Sequence, residues 1–131
     1  MKTIFVLNSE NFDRIFYAFC MATTAAALDK KVLIFFSGKA IRYITKKISF
    51  KDEEVKESLL KKQHQSNSNF ILFKELISSS IDLKINFSYC SMINDLVTEP
   101  IQFFDGIKIR AENLTLIFNE KDNQQNRIIF I

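Results

Sequence analysis

Tryptophan is absent from these 131 residues, proline occurs once, glycine and cysteine twice each, and histidine once. So few glycines and prolines exclude an all-β protein, which needs many tight turns. They favour long periodic segments joined by short loops. The two cysteines, Cys20 and Cys90, lie far apart and form neither a C-x-x-C pair nor a zinc-ligand spacing, so an extracellular disulfide scaffold is not indicated. The lone histidine, His64, stands in a polar stretch without metal-ligand neighbours and reads as a solvated side chain. A Cys–His hydrolytic pair is therefore not expected. No dinucleotide fingerprint, P-loop, serine-nucleophile elbow or aspartate-rich cation loop occurs, so no cofactor and no metal are expected. No apolar run approaches the ~18 residues of a membrane span. The start, M-K-T-I-F-V-L-N-S-E, carries a shorter apolar stretch than the ~7–15 residues of a signal-peptide core. Eighteen basic and fifteen acidic residues are interspersed, for a net charge of +3, so neither nucleic acid nor a membrane is an indicated partner. The expectation is a cytoplasmic protein in a reducing compartment.

What the chain does contain is a core. Hydrophobic residues make up 47% of it and fourteen are phenylalanine, which suits a single domain spanning 1–131. Ile4, Phe5, Val6 and Leu7 form a continuous apolar run, the pattern of a strand buried on both faces. Ser9 is a candidate N-cap for a helix over 10–28, with Phe12, Ile15, Phe16, Phe19, Thr23 and Ala26 along one face. Cys20 falls on or beside that stripe and reads as core filling. Lys30 and Lys31 suit the helix end, and Val32, Leu33, Ile34, Phe35 and Phe36 read as a second buried strand. Residues 37–39 turn, and 40–47 suit a short helix.

Residues 49–69 are polar. Ser49 and Asp52 resemble a capping box for a surface helix over 51–62, followed by an exposed loop over 63–69, together a candidate flap. A helix then carries Phe70, Phe73, Leu76 and Ile77 on one face, with Ser78, Ser79 and Ser80 ending it. Ile81, Leu83, Ile85 and Phe87 alternate with polar residues, the period of a strand. After Cys90 the apolar residues Met92, Ile93, Leu96 and Val97 fall at helical spacing. Thr98-Glu99-Pro100 breaks that helix. Residues 101–104 are ambiguous, 107–110 form a short strand, and Leu114, Ile117 and Phe118 mark another helix. A polar loop over 121–126 leads to a fifth strand over 127–131.

Strands alternating with helices predict an α/β fold: a three-layer α/β/α sandwich around a mostly parallel five-stranded sheet, of the flavodoxin or Rossmann kind. The C-terminal ends of such strands share one edge, where ligands bind. That edge collects Asn8, Ser9, Ser37, Gly38, Lys39, Tyr89, Cys90, Ser91 and Arg110. Cys90 sits where a strand ends and a helix begins, a place that favours a thiolate, the more so with Lys39 or Arg110 beside it. The plainer reading is a small apolar residue filling a turn.

The chain resembles the DsrE/DsrF-like family of small sulfur-relay proteins. The alanine-rich helix followed by V-L-I-F-F-S-G-K-A-I is similar to that family's first βαβ unit. L-K-I-N-F-S-Y-C-S-M-I-N-D-L-V is similar to its cysteine segment, and D-G-I-K-I-R-A-E-N-L to its next strand and helix. Asp29-Lys30-Lys31 stands where the family usually has a glycine before the second strand. The resemblance implies a homo-oligomer, a trimer or hexamer, and a cysteine that accepts sulfur as a persulfide from a donor protein and passes it to an acceptor; in this chain that is Cys90. Two rival readings accompany it: a non-catalytic homo-oligomeric binding or assembly module of the same fold, and a thiol redox enzyme with Cys20 as resolving thiol. The relay reading requires a thiol that solvent can reach and a helix starting just beyond it.

Overall fold

The apolar runs at 4–7 and 32–36 do form adjacent strands in the computed structural model, which describes residues 2–53, 68–118 and 126–131. The main sheet is parallel throughout. Its strands are β1 (Lys2–Leu7), β2 (Lys31–Phe36), β4 (Asn86–Cys90), β6 (Ile109–Glu112) and β7 (Arg127–Phe130), in spatial order β6-β4-β2-β1-β7. Two further strands, β3 (Thr45–Lys47) and β5 (Gln102–Phe103), make a separate antiparallel ribbon. The α/β class and the five-stranded sheet are as the sequence predicts.

Helix α1 (Phe12–Ala27) and helix α2 (Ser68–Asp82) lie side by side on one face of the sheet. Register partners in a parallel sheet share a face, so Phe5, Ile34 and Phe87 point together, as do Leu7, Phe36 and Tyr89. Phe19 of α1 settles which face this is: its ring lies 6.3 Å from Phe36 and 6.4 Å from Phe87. Phe73 of α2 wedges between Phe12, Phe16, Phe19 and Tyr43. The opposite face carries Ile4, Val6, Leu33, Phe35, Ser88 and Cys90, all buried, then Arg110 and Glu112 on β6, and Ile128 and Phe130 on β7. Leu116, in a short 3-10 helix (Leu114–Leu116), lies over that face.

Element ends differ from the sequence reading for identifiable reasons. Asn11, not Ser9, caps α1: its Oδ1 accepts from the Arg14 amide at 3.1 Å, and Ser9 Oγ accepts from the Asn11 amide at 3.0 Å. Both long helices stop in paired 6→1 and 5→2 hydrogen bonds around a left-handed residue. For α1 the bonds are Lys30 N to Ala25 O and Asp29 N to Ala26 O, with Asp29 at φ 61°. For α2 they are Ile85 N to Ser80 O and Lys84 N to Ile81 O, with Lys84 at φ 60°. Glycine is the usual occupant of such positions, and its absence at Lys84 hides the end of α2 from the sequence.

The serines at 78–80 therefore do not end α2. Ser80 is buried and donates its hydroxyl to Leu76 O at 2.7 Å, inside the helix. The alternation at 81–87 misplaces the strand, because Ile81 and Asp82 are still helical and β4 begins at Asn86. The strand expected over 107–110 is likewise β6, Ile109–Glu112. Residues 40–47 do not form one short helix. A 3-10 helix (Gly38–Ile44) passes into β3, which pairs with the previously ambiguous β5. The helices expected after Cys90 and around Leu114 are only short 3-10 turns, Ser91–Asp95 and Leu114–Leu116. The Ser49 hydroxyl donates to Glu99 Oε1 at 3.2 Å. Most of the helix over 51–62, the loop with His64, and most of the loop over 121–126 lie outside the described residues.

Candidate functional site

The C-terminal edge of the sheet brings Asn8, Ser37, Gly38, Cys90 and Ser91 into one row but not Arg110, which lies within β6 because that strand runs to Glu112. Asn8 follows β1, Ser37 and Gly38 follow β2, Cys90 closes β4 and Ser91 follows it. Phe36 is the register neighbour of Tyr89, so the chain leaves β2 and β4 side by side.

The row is knitted to itself. Ser37 N donates to Leu7 O at 2.8 Å, and Ser37 Oγ reaches Leu7 O and Asn8 Oδ1, each at 3.2 Å. Ile131 O accepts from the amides of Asn8 and Ser9. Gly38 sits at φ 57°, where a Cβ would stand 2.8 Å from Asn8 Oδ1.

Lys39 is not turned to the thiol. Its Nζ lies 2.9 Å from Asp52 Oδ2 and 2.6 Å from Glu53 Oε1, and 5.4 Å from the Phe50 ring centroid. Arg42, from the same 3-10 helix, stacks on that ring at 4.9 Å, pairs with Glu53 and stands 3.9 Å from Glu10. Tyr43 donates its hydroxyl to Glu10 O. The segment 48–51 is held in turn by Lys51 N to Leu96 O and Thr98 N to Ser49 O, so it straps across the turn that follows Cys90. None of Arg42, Phe50 or Glu53 stood out in the sequence, because a 3-10 helix and a strap joined only by folding bring them together. Spacing alone carried no signal.

Cys90 is 5% exposed and belongs to the hydrophobic core. Its register neighbour on β6 is the acidic Glu112. Arg110 stands two residues earlier, beside Ser88. Tyr89 points to the other face, packs on Phe103 at 5.6 Å, and donates its hydroxyl to Asn94 Oδ1 at 3.0 Å. The 3-10 helix beyond Cys90 has five residues, and the Cys90 side chain makes no capping hydrogen bond to it. Of the two features the sulfur-relay reading requires, a helix does begin directly beyond the thiol, as a five-residue 3-10 helix and not an α-helix, while the sulfur itself is buried in the single chain. Cys20 is half-buried in α1, and burial raises its thiol pKa. Among the described residues no group of three or more His, Cys, Asp or Glu side chains is placed to hold a metal, and no helix is long and apolar enough to cross a membrane.

The strap has a measurable pH signature. Hydrogen bonding from Lys39, then from Arg42, holds the Glu53 carboxyl below the usual range against the opposing effect of burial. A carboxyl lowered in the folded state adds stability that is full above its unfolded value, about 4.3, and is lost as pH falls through the lower folded value. Thermal unfolding followed from pH 6 down to 3 is expected to show a loss that Glu53→Gln reduces, the remainder including Glu99, which Lys47 and Ser49 also hold below its ordinary range. An unchanged acid limb in the variant would mean the strap is not held by this carboxylate.

The parallel five-stranded sheet with α1 and α2 on one face defines an α/β fold. The particular likeness is to the crystal structure of the YchN protein from Escherichia coli. It has a TM-score of 0.61 and 12% sequence identity, and covers 100% of this chain and 99% of that one. No family model matches the sequence, and no curated protein does.

Proposed function

We propose that this chain is a non-catalytic homo-oligomeric binding module of the DsrE-like fold. The observation that carries this reading is the closed C-terminal edge. Its cations are neutralised by Asp52 and Glu53, its polar groups bond to one another, and its thiol lies inside the core. Assembly, as a trimer or hexamer, is supported by apolar side chains left uncovered in one chain. Phe130 is 72% exposed on the edge strand β7, with Ile128 beside it on the same face.

The place of Cys90 at a strand end favours a second reading, sulfur relay. In it the Cys90 thiolate attacks the outer sulfur of a donor persulfide, the donor leaves as a thiolate, and the persulfide on Cys90 is attacked in turn by an acceptor thiolate. One experiment separates the two. Iodoacetamide labelling of native and urea-unfolded protein is mapped to Cys20 and Cys90, beside a mass measurement of the protein as isolated. The binding module predicts Cys90 labelling slowed ~100-fold or more by folding, with no added sulfur. A Cys90 that reacts as fast as an unfolded thiol, or that carries one extra sulfur atom, replaces it with the relay. Sedimentation at micromolar concentration is expected to show the oligomer, and a monomer would end the assembly role.

A further inference from the structure

Away from the C-terminal edge, the sheet face opposite α1 and α2 carries a cleft of about 760 Å³ near the starts of β4 and β6. Four cations border it: Lys2, Lys84, Lys108 and Arg110. The strand pattern explains their convergence. Arg110 is the register neighbour of Ser88, Asn86 falls two residues before Ser88 on the same face, and Lys108, just before β6 begins, lines the same cleft. Glu112 is the one carboxylate among the lining residues. Among the described residues no ion pair or side-chain hydrogen bond engages any of the four cations, whereas Lys39, Arg42, Lys46 and Lys47 are all paired.

We propose that this cleft binds a small phosphate ester with an apolar body. A concavity with four cations and one acid focuses positive potential and selects a multiply charged anion. The Arg110 guanidinium offers the fork that suits phosphate oxygens, with Ser88 and Asn86 as neutral donors on the floor. Leu33, Ile85 and Leu116 supply apolar wall for the rest of the ligand. The site uses neither Cys90 nor the assembly state, so it stands or falls apart from the readings above.

Calorimetric titration with phenyl phosphate, inorganic phosphate and phenol, at low and high salt, tests it. Phenyl phosphate is expected to bind more tightly than inorganic phosphate and to weaken with salt, and phenol is expected not to bind. Arg110→Ala should lose tenfold or more in affinity, on the order expected for a hydrogen bond to a charged group. Arg110→Lys should retain part of it, and Glu112→Gln should bind more tightly. Lys30→Ala, which removes an exposed charge outside the cleft, should bind as the parent does. Arg110 is exposed, and circular dichroism of each variant confirms that folding is kept. Absence of phenyl phosphate binding overturns the proposal. So does equal weakening by Lys30→Ala and Arg110→Ala, or phenyl phosphate binding no better than inorganic phosphate.

Discussion

Phe73→Ala is expected to cost about 3–5 kcal/mol of stability, the range for truncating a fully buried aromatic ring. Phe73 is fully buried. Its ring stands edge-on to Phe19 at 5.1 Å, to Phe12 at 5.6 Å and to Tyr43 at 6.1 Å, with Phe16 at 6.4 Å. Those partners come from α1 and from the 3-10 helix after β2, so one side chain joins α2 to both neighbours. The hole cannot collapse without moving a helix, which places the cost toward the upper end. Domains of this size hold roughly 5–15 kcal/mol in all, so the variant should be near the limit of folding. Urea unfolding is expected to give a much lower midpoint with an unchanged slope. Phe73→Leu, which keeps most of the volume, should lose far less. A loss below about 1 kcal/mol in Phe73→Ala would show that α2 is not anchored through this ring.

Gly38→Ala is expected to cost about 1.5–2.5 kcal/mol, from two separable effects. The left-handed backbone at φ 57° penalises any Cβ by about 1 kcal/mol. The added carbon would also meet Asn8 Oδ1 at 2.8 Å, and that oxygen accepts the Ser37 hydroxyl. Asn8 is exposed and can swing away, but only by giving up that hydrogen bond, worth about 0.5–1.5 kcal/mol. Adding Asn8→Ala to Gly38→Ala should therefore cost less than the sum of the single changes. Strict additivity would refute the steric part, and a Gly38→Ala variant as stable as the parent would refute both. The consequence is local to the C-terminal edge, since these residues hold the ends of β1 and β2 together.

The same glycine shows how unevenly this structure could be read. Gly38 announced its turn because glycine favours left-handed angles. Asp29 and Lys84 adopt the same angles without announcing them; the lysines at 30 and 31 still marked the end of α1, but nothing marked the stop at Lys84. Hence α2 and β4 were misplaced by several residues while α1 and β2 were not. The misplaced strand also concealed the basic cleft, since Ser88 aligns with Arg110 only once β4 starts at Asn86.

By itself, the sequence determined the α/β class, the two central strands and the row of residues at their C-terminal ends. Continuous apolar runs and helical stripes are local patterns, and burial on both faces of a central strand demands them. Only the tertiary structure decided the state of that row. Cys90 ends a strand and is nonetheless buried in the core, and whether Lys39 faces a ligand depends on Asp52 and Glu53. Those contacts join segments distant along the chain, and the burial and pairing of a side chain belong to the packed assembly, not to its neighbours in sequence.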